Sequence, residues 1–372
     1  MSAPVDDQQT GTPDPAPTPA TARGSENSLG GRLIRALLTQ RIVLLVVLIV
    51  AVVVTFMIMG AGDYLTSPFD SDSMSAALIN AVPLAMLGLA ELIVILSGRG
   101  GIDLSVGANV SLSGMVFGLA YAQWGLPLWL AILLAVVCGG VLGLVNGYLV
   151  AYLGFPALIA TLATYYAYKS LAVVINNQRP ISSPEISQLY NSTARSIELP
   201  VIGSQLPDVP RGIFLFLIPT IVVMWLLLAR TTFGRRSYAI GTNDVAARWS
   251  AIDVKSTRLW AYVISGLICG LVAVVTVGQF ASARPDAGTA GNGMALPAIT
   301  IAVLGGVAIT GGIGRVAGVV LATVLIVWLN DGILKAFEGN DGSQYQLLAL
   351  GVVLVFAALL NGVATRRYGG TQ

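Results

Sequence analysis

Few side chains in this sequence could do chemistry, and their types exclude most of it. The 372 residues contain no histidine, which removes the commonest general base and metal ligand. No His-Glu-x-x-His, Gly-x-Ser-x-Gly or Gly-x-x-x-x-Gly-Lys-[Ser/Thr] pattern occurs, and Lys169-Ser170 and Lys255-Ser256 both lack the glycines that would cradle a phosphate. No catalytic residue, metal ligand or cofactor of its own is expected, so the chain is not an enzyme and cannot hydrolyse ATP through a P-loop. What remains is a scatter of polar groups in apolar surroundings. Glu91 lies inside an apolar run, where a carboxylate costs at least about 2.5 kcal/mol unless it faces a cavity or a partner; it either lines a hydroxyl-rich path or pairs with a neighbouring helix. Asp103 stands just before the next apolar run, either as an N-cap for free amides near Ser105 and Val106 or as a gating or substrate group. Asn109, Ser113, Thr161, Thr164 and Tyr165 could line the same wet path. Asn146 fits either that path or an interhelical hydrogen bond. The surviving activity is transport, driven by a gradient or by a partner.

One polar island breaks the apolar pattern. Arg230 to Arg258 carries Arg230, Arg235, Arg236, Arg248, Lys255 and Arg258. Within it Thr242-Asn243-Asp244 is a helix N-cap signal, followed by about two turns of small and apolar residues, VAARWSAI. A short helix with nothing of its own to bury against invites a soluble partner.

The elements that must position these groups are membrane spans. Hydrophobic residues make up 55% and charged residues 10% of the chain, against ~25% charged in soluble domains. A span needs ~20 apolar residues, which gives about ten candidates: 41–60, 75–97, 103–122, 127–153, 156–175, 213–229, 259–278, 297–310, 315–330 and 345–361. The eighth and ninth are short and Gly-rich, so one is expected to be broken or re-entrant. The expected class is an all-α polytopic membrane protein with a permease domain at 31–365 and a loop at 230–258. The Pro/Thr/Ala-rich residues 1–30 read as a disordered cytoplasmic tail, and 366–372 as a short cytoplasmic tail. With the N-terminus inside, 14 basic residues fall on the inner side against 5 outside (Arg179, Arg195, Arg211, Arg284 and Lys335). The positive-inside rule therefore places both termini and the island in the cytoplasm. Cys138 and Cys269 lie within spans, where packing rather than a disulfide is expected.

Glycines indicate how the spans pack. Gly139, Gly143 and Gly147 share one face of the fourth span, a small-xxx-small pattern that lets helices approach closely. The segments Gly100 to Gly107 and Gly311 to Gly318 share Gly-Gly-Ile-x4-Gly, which reads either as an internal repeat or as chance in a Gly-rich chain.

Four stretches then occur in order: LSGRGGIDLSVGANVSLSGM (96–115), FPALIATLATYY (155–166), RTTFGRRSYAIGTNDVAARWSAIDV (230–254) and AVLGGVAITGGIGRVAGVVLATVLIVWLNDGI (302–333). Together they resemble the membrane permease of ribose-type ATP-binding-cassette sugar importers, over roughly residues 40–362. The resemblance implies a prokaryotic plasma-membrane permease that pairs with a second permease subunit. It also implies a cytoplasmic ATPase that binds the ATP, an extracytoplasmic sugar-binding protein, and no nucleic-acid partner. The cargo it implies is a pentose, hexose or related polyol. It makes Gly241 to Ile252 a coupling helix docking on the ATPase, with Gly241, Thr242, Asn243, Asp244, Ala246, Ala247, Arg248 and Trp249 at the contact. On the residues themselves, small Ala246 and Ala247 permit close approach, Trp249 offers an anchor and Arg248 a charge; an ordinary basic loop near lipid headgroups is the plain alternative.

Two departures stand out. Trp249-Ser250-Ala251-Ile252 replaces the family's usual Leu-Ser-Gly-Ile. Gly293 to Ile299 replaces Gly-Tyr-Glu-Leu-Asp-Ala-Ile and lacks both acids, so ribose itself is not assigned; Asn292, just before it, is counted with the path. The outer loop 176–212 is either the landing site of a binding protein or a passive spacer. A gradient-driven secondary transporter of a small polar solute is the alternative to the importer, and it would need no helix at 241–252.

Overall fold

The computed structural model describes residues 40–197, 208–290, 293–337 and 339–368. The tail at 1–30, Asn292 and residues 369–372 lie outside the described residues. Helices dominate, and among the described residues eight are long and apolar enough to cross a membrane. In chain order the elements are α1 (Arg41–Ala61), α2 (Ser71–Leu96), α3 (Val106–Gly118), α4 (Leu128–Ala151), α5 (Ala157–Val174), the short α6 (Pro184–Gln188) and α7 (Tyr190–Thr193), and α8 (Ile213–Arg230). Then follow α9 (Thr232–Thr242), α10 (Asp244–Trp249), α11 (Val254–Phe280), α12 (Ala295–Leu304), α13 (Val316–Ala336) and α14 (Asn340–Tyr368). A two-residue antiparallel pair, β1 (Ser196–Ile197) with β2 (Val209–Pro210), is the one sheet among the described residues. The fold is an all-α polytopic membrane protein. Helix α14 continues to Tyr368, past the tail boundary expected at 365.

Helices α2 and α11 form the enclosed centre, whereas α1 and α14 expose most of their apolar surface. The reason is legible in composition: α1 is Val/Ile/Leu almost throughout and has no small-residue face, while α11 carries Gly266 and Gly270 opposite the glycines of α4. A methyl group at Gly139 would collide with the Gly266 carbonyl, one at Gly143 with the Tyr262 carbonyl, and one at Gly147 with the Leu259 carbonyl. Where lipid removes the hydrophobic drive between helices, such backbone-to-backbone approach supplies the dispersion contacts that hold them. Cys138 and Cys269 are free thiols.

Two elements fall short of a full span. Helix α12 has ten residues, about 15 Å at 1.5 Å per residue, against a hydrocarbon core of ~30 Å. Helix α3 starts at mid-depth: its Asn109 donates to the carbonyl of Gly139, at the middle of α4. It then extends through a π-helical turn at Leu119–Gln123. The loop before α12 folds down along α3, so that the Gly288 amide donates to Ser111 Oγ at 2.9 Å and Gly107 meets Gly288 backbone to backbone. Irregular backbone at this depth is tolerated because protein, not lipid, covers it.

Candidate functional site

The polar island folds into two helices and a hub. Thr231 caps α9 through the Gly234 amide, and Asn243 caps α10 through the amides of Val245 and Ala246, both at 3.0 Å. Helix α9 was not foreseen, because RTTFGRRSYAI offers charges and a glycine rather than a long apolar face. Ala247 turns inward against Ile240, Ile252 and Val254, which leaves Ala246, Arg248 and Trp249 on the outside. Trp249 is 87% exposed and Val245 63%, an unusual cost for two apolar side chains on a six-residue helix.

Asp244 fastens this helix to the bundle. Its Oδ1 lies 2.8 Å from Arg258 Nη2 at the start of α11, and its Oδ2 lies 3.1 Å from Arg99 Nε. The same Arg258 Nη2 donates to the Ser97 carbonyl at 3.0 Å, so one buried guanidinium joins α10, α11 and the end of α2. Gly241 adds a second fastening. A side chain there would collide with the Leu96 carbonyl and the Gly312 amide, which are themselves hydrogen-bonded at 3.1 Å. Gly98 and Gly311, at φ +80° and +96°, pack Cα to Cα against each other and against Gly241; only glycine adopts such angles without strain. The two loops with the shared Gly-Gly-Ile signature therefore lie side by side, with the end of α9 wedged between them. Tyr238 completes the joint by donating to the Gly314 carbonyl at 2.8 Å. Burial holds its phenol above the ordinary value, with the Arg315 guanidinium opposing the rise.

The residues expected along a path gather in one place, and that place is closed. Glu91, Asp103, Asn109, Ser113, Asn146, Thr161 and Thr164 are all buried; Tyr165 is half-buried beside Lys169 and Tyr166. Glu91 Oε2 accepts from the Asp103 amide at 3.3 Å. Asp103 Oδ1 accepts from the Ser105 amide at 2.9 Å and from its hydroxyl at 2.7 Å. Asn146 Nδ2 donates to Ser105 Oγ at 2.7 Å and lies 3.3 Å from Asp103 Oδ1, while Thr164 donates to Asn146 Oδ1 at 2.6 Å. Thr161 accepts from the Leu104 amide at 3.2 Å, and Ser113 donates to Asn109 Oδ1 at 3.0 Å. This network ties the irregular segment before α3 to α2, α4 and α5. Glu91 Oε1 alone of these carboxylate oxygens has no hydrogen-bond partner among the described residues.

An open cavity of about 420 Å³, walled mostly by apolar side chains, lies elsewhere, at the end of the bundle opposite α10. Asn80, Gln279, Asn330, Asp331 and Gln346 are the polar side chains on its wall, and Met294 and Pro297 at the start of α12 line it as well. Gln346 donates to the Asn330 carbonyl at 3.0 Å and Gln279 to the Ile79 carbonyl at 2.8 Å. Sequence reasoning missed these five residues. They are isolated polar residues near span ends, apart from the adjacent Asn330 and Asp331, and no motif links four separate helices.

Residues 73–358 match the family model described as branched-chain amino acid transport system / permease component. The chain is 35% identical to a probable ABC transporter permease protein, y4mJ, of Sinorhizobium fredii, over 77% of this chain and 80% of that one. It is 34% identical to the autoinducer 2 import system permease protein LsrD of an Enterobacter species, over 75% and 82% of the two chains. It is 32% identical to the D-allose transport system permease protein AlsC of Escherichia coli, over 76% and 80%. No solved structure matches it. The chain belongs to this family of multi-pass membrane permeases of ABC transport systems, whose members form the translocating component and perform no chemistry of their own.

Proposed function

We propose that the chain is the permease of an ATP-driven importer of a sugar or sugar-like small molecule, with α10 as its contact to a cytoplasmic ATPase. The observation that carries this reading is the exposed Trp249–Val245 surface on a helix that Asp244, Arg258 and Gly241 fasten to the bundle. A large apolar side chain held rigidly in water is what a docking anchor requires. The 14 against 5 distribution of basic residues supports a cytoplasmic position for α10 and for both termini. The relatives named for D-allose and autoinducer 2 support a small, hydroxyl-bearing cargo. A soluble binding protein brings the cargo to the opposite end. The 420 Å³ cavity with its amides and single carboxylate receives it weakly, and a second permease subunit completes the path.

The test is uptake by proteoliposomes holding this chain, its ATPase and its binding protein, across labelled pentoses, hexoses and polyols. ATP-dependent uptake that Trp249→Ala abolishes, with insertion intact, supports the reading. Uptake by this chain alone, driven by an ion gradient, contradicts it.

A further inference from the structure

A second cavity, about 560 Å³, opens at the basic end of the bundle between the starts of α1 and α13, with Tyr238 of α9 on its wall. Among the described residues that line it, Arg41 and Arg315 are charged and none is acidic. Arg41 is held in place: its stem lies across Gly306, where a side chain would collide with it. Arg315 is exposed and makes no ion pair among the described residues. Two 21-residue helices also begin here, and neither has a side-chain cap on its first amides. The positive ends of two helix dipoles add to the two guanidinium groups. The combination selects an anion with several acceptor oxygens, and a phosphate group fits it.

The surroundings indicate where that phosphate comes from. Ile42 lines the cavity and is exposed, and Val46 and Val50 continue the same exposed strip one turn at a time along α1. An apolar strip leading away from a cationic pocket matches acyl chains attached to a headgroup. We propose that this cavity binds the phosphate headgroup of an anionic lipid, with Arg41 and Arg315 as its cationic contacts and α1 as the wall against which the chains lie. Its place in the inner leaflet rests on the orientation proposed above; binding measured in detergent solution does not, so the two can fail separately.

The experiment is native mass spectrometry of the full chain titrated with phosphatidylglycerol and, in parallel, phosphatidylcholine. Arg41→Gln and Arg315→Gln are each expected to weaken phosphatidylglycerol binding about fivefold, the effect of removing one cation at the membrane surface. Phosphatidylcholine, whose choline cation offsets its phosphate, should bind more weakly and respond less to either substitution, and Arg284→Gln at the opposite end should affect neither lipid. Arg315→Lys, which keeps the charge on an exposed side chain, should restore most of the affinity. Equal phosphatidylglycerol binding by wild type, Arg41→Gln and Arg315→Gln overturns the site. Displacement of the bound lipid by excess inorganic phosphate, with the same dependence on the two arginines, overturns the lipid assignment in favour of a soluble phosphate.

Discussion

Asp244 and Arg258 form an ion pair 2.8 Å long between the six-residue α10 and the 27-residue α11. The second contact of Arg258, to the Ser97 carbonyl, joins α10 to the end of α2 and the segment that leads into α3. Gly241, clasped between the two glycine-rich loops, joins the end of α9 to the loop between α12 and α13 in the same way. Both short helices are thus mechanically connected to the surface that we assign to the ATPase.

Asp244→Ala should leave the Arg258 guanidinium buried without its counter-charge. Breaking such a pair costs about 3 kcal/mol, so thermal unfolding in detergent should shift down clearly and ATP-driven uptake should fall. An unchanged melting curve would show that the pair does not hold α10.

Gly241→Ala inserts a methyl group where the Leu96 carbonyl and Gly312 amide already touch the backbone. Overpacking of this kind costs about 1–3 kcal/mol. The chain should insert and bind the ATPase, yet ATP hydrolysis should no longer drive uptake. Full uptake by the alanine variant, measured against hydrolysis in the same vesicles, would remove the glycine joint from the coupling route.

Trp249→Ala should behave in the opposite way. A side chain 87% exposed contributes little to folding, so stability should stay within about 0.5 kcal/mol. ATPase affinity should drop by a factor of about 30, as for an interface anchor worth about 2 kcal/mol. A pull-down titration of the ATPase with wild type and Trp249→Ala reads this directly, and equal affinities would place the contact elsewhere.

Glu91 distinguishes a structural carboxylate from a coupling one. Glu91→Gln keeps an acceptor for the Asp103 amide and should retain ATP-driven uptake. Glu91→Leu leaves that amide unpaired, at a cost of about 1–3 kcal/mol. Should Glu91→Gln abolish uptake while melting like the wild type, the carboxylate takes part in transport rather than in holding α3.

Much of the architecture was legible in the sequence because lipid imposes a simple rule on apolar runs. The span expected at 41–60 is α1 at Arg41–Ala61, and that at 213–229 is α8 at Ile213–Arg230. The eighth span was expected at 297–310 but ends at Leu304, because Gly305 must reach the Gly318 backbone and the chain turns at once. The N-cap at Asn243 was legible for the same reason that caps usually are: a side-chain oxygen sits beside free amides. Which way Ala247 faces was not legible, since it depends on Ile240 and Val254 from the flanking helices. Arg258 looked like one more surface cation and is in fact buried; its partners Asp244 and Ser97 lie on separate elements. The cavity residues Asn80, Gln279, Asn330, Asp331 and Gln346 were invisible for the same physical reason, since their proximity exists only after four helices pack.

The central claim is that this chain moves a sugar-like solute only when an ATPase acts through α10. Its most direct test is uptake in proteoliposomes with ATPase and binding protein present, comparing wild type with Trp249→Ala under ATP and under an imposed ion gradient. The account predicts ATP-dependent uptake by the wild type, none by the variant, and no response to the gradient. Gradient-driven uptake that persists without the ATPase would contradict it.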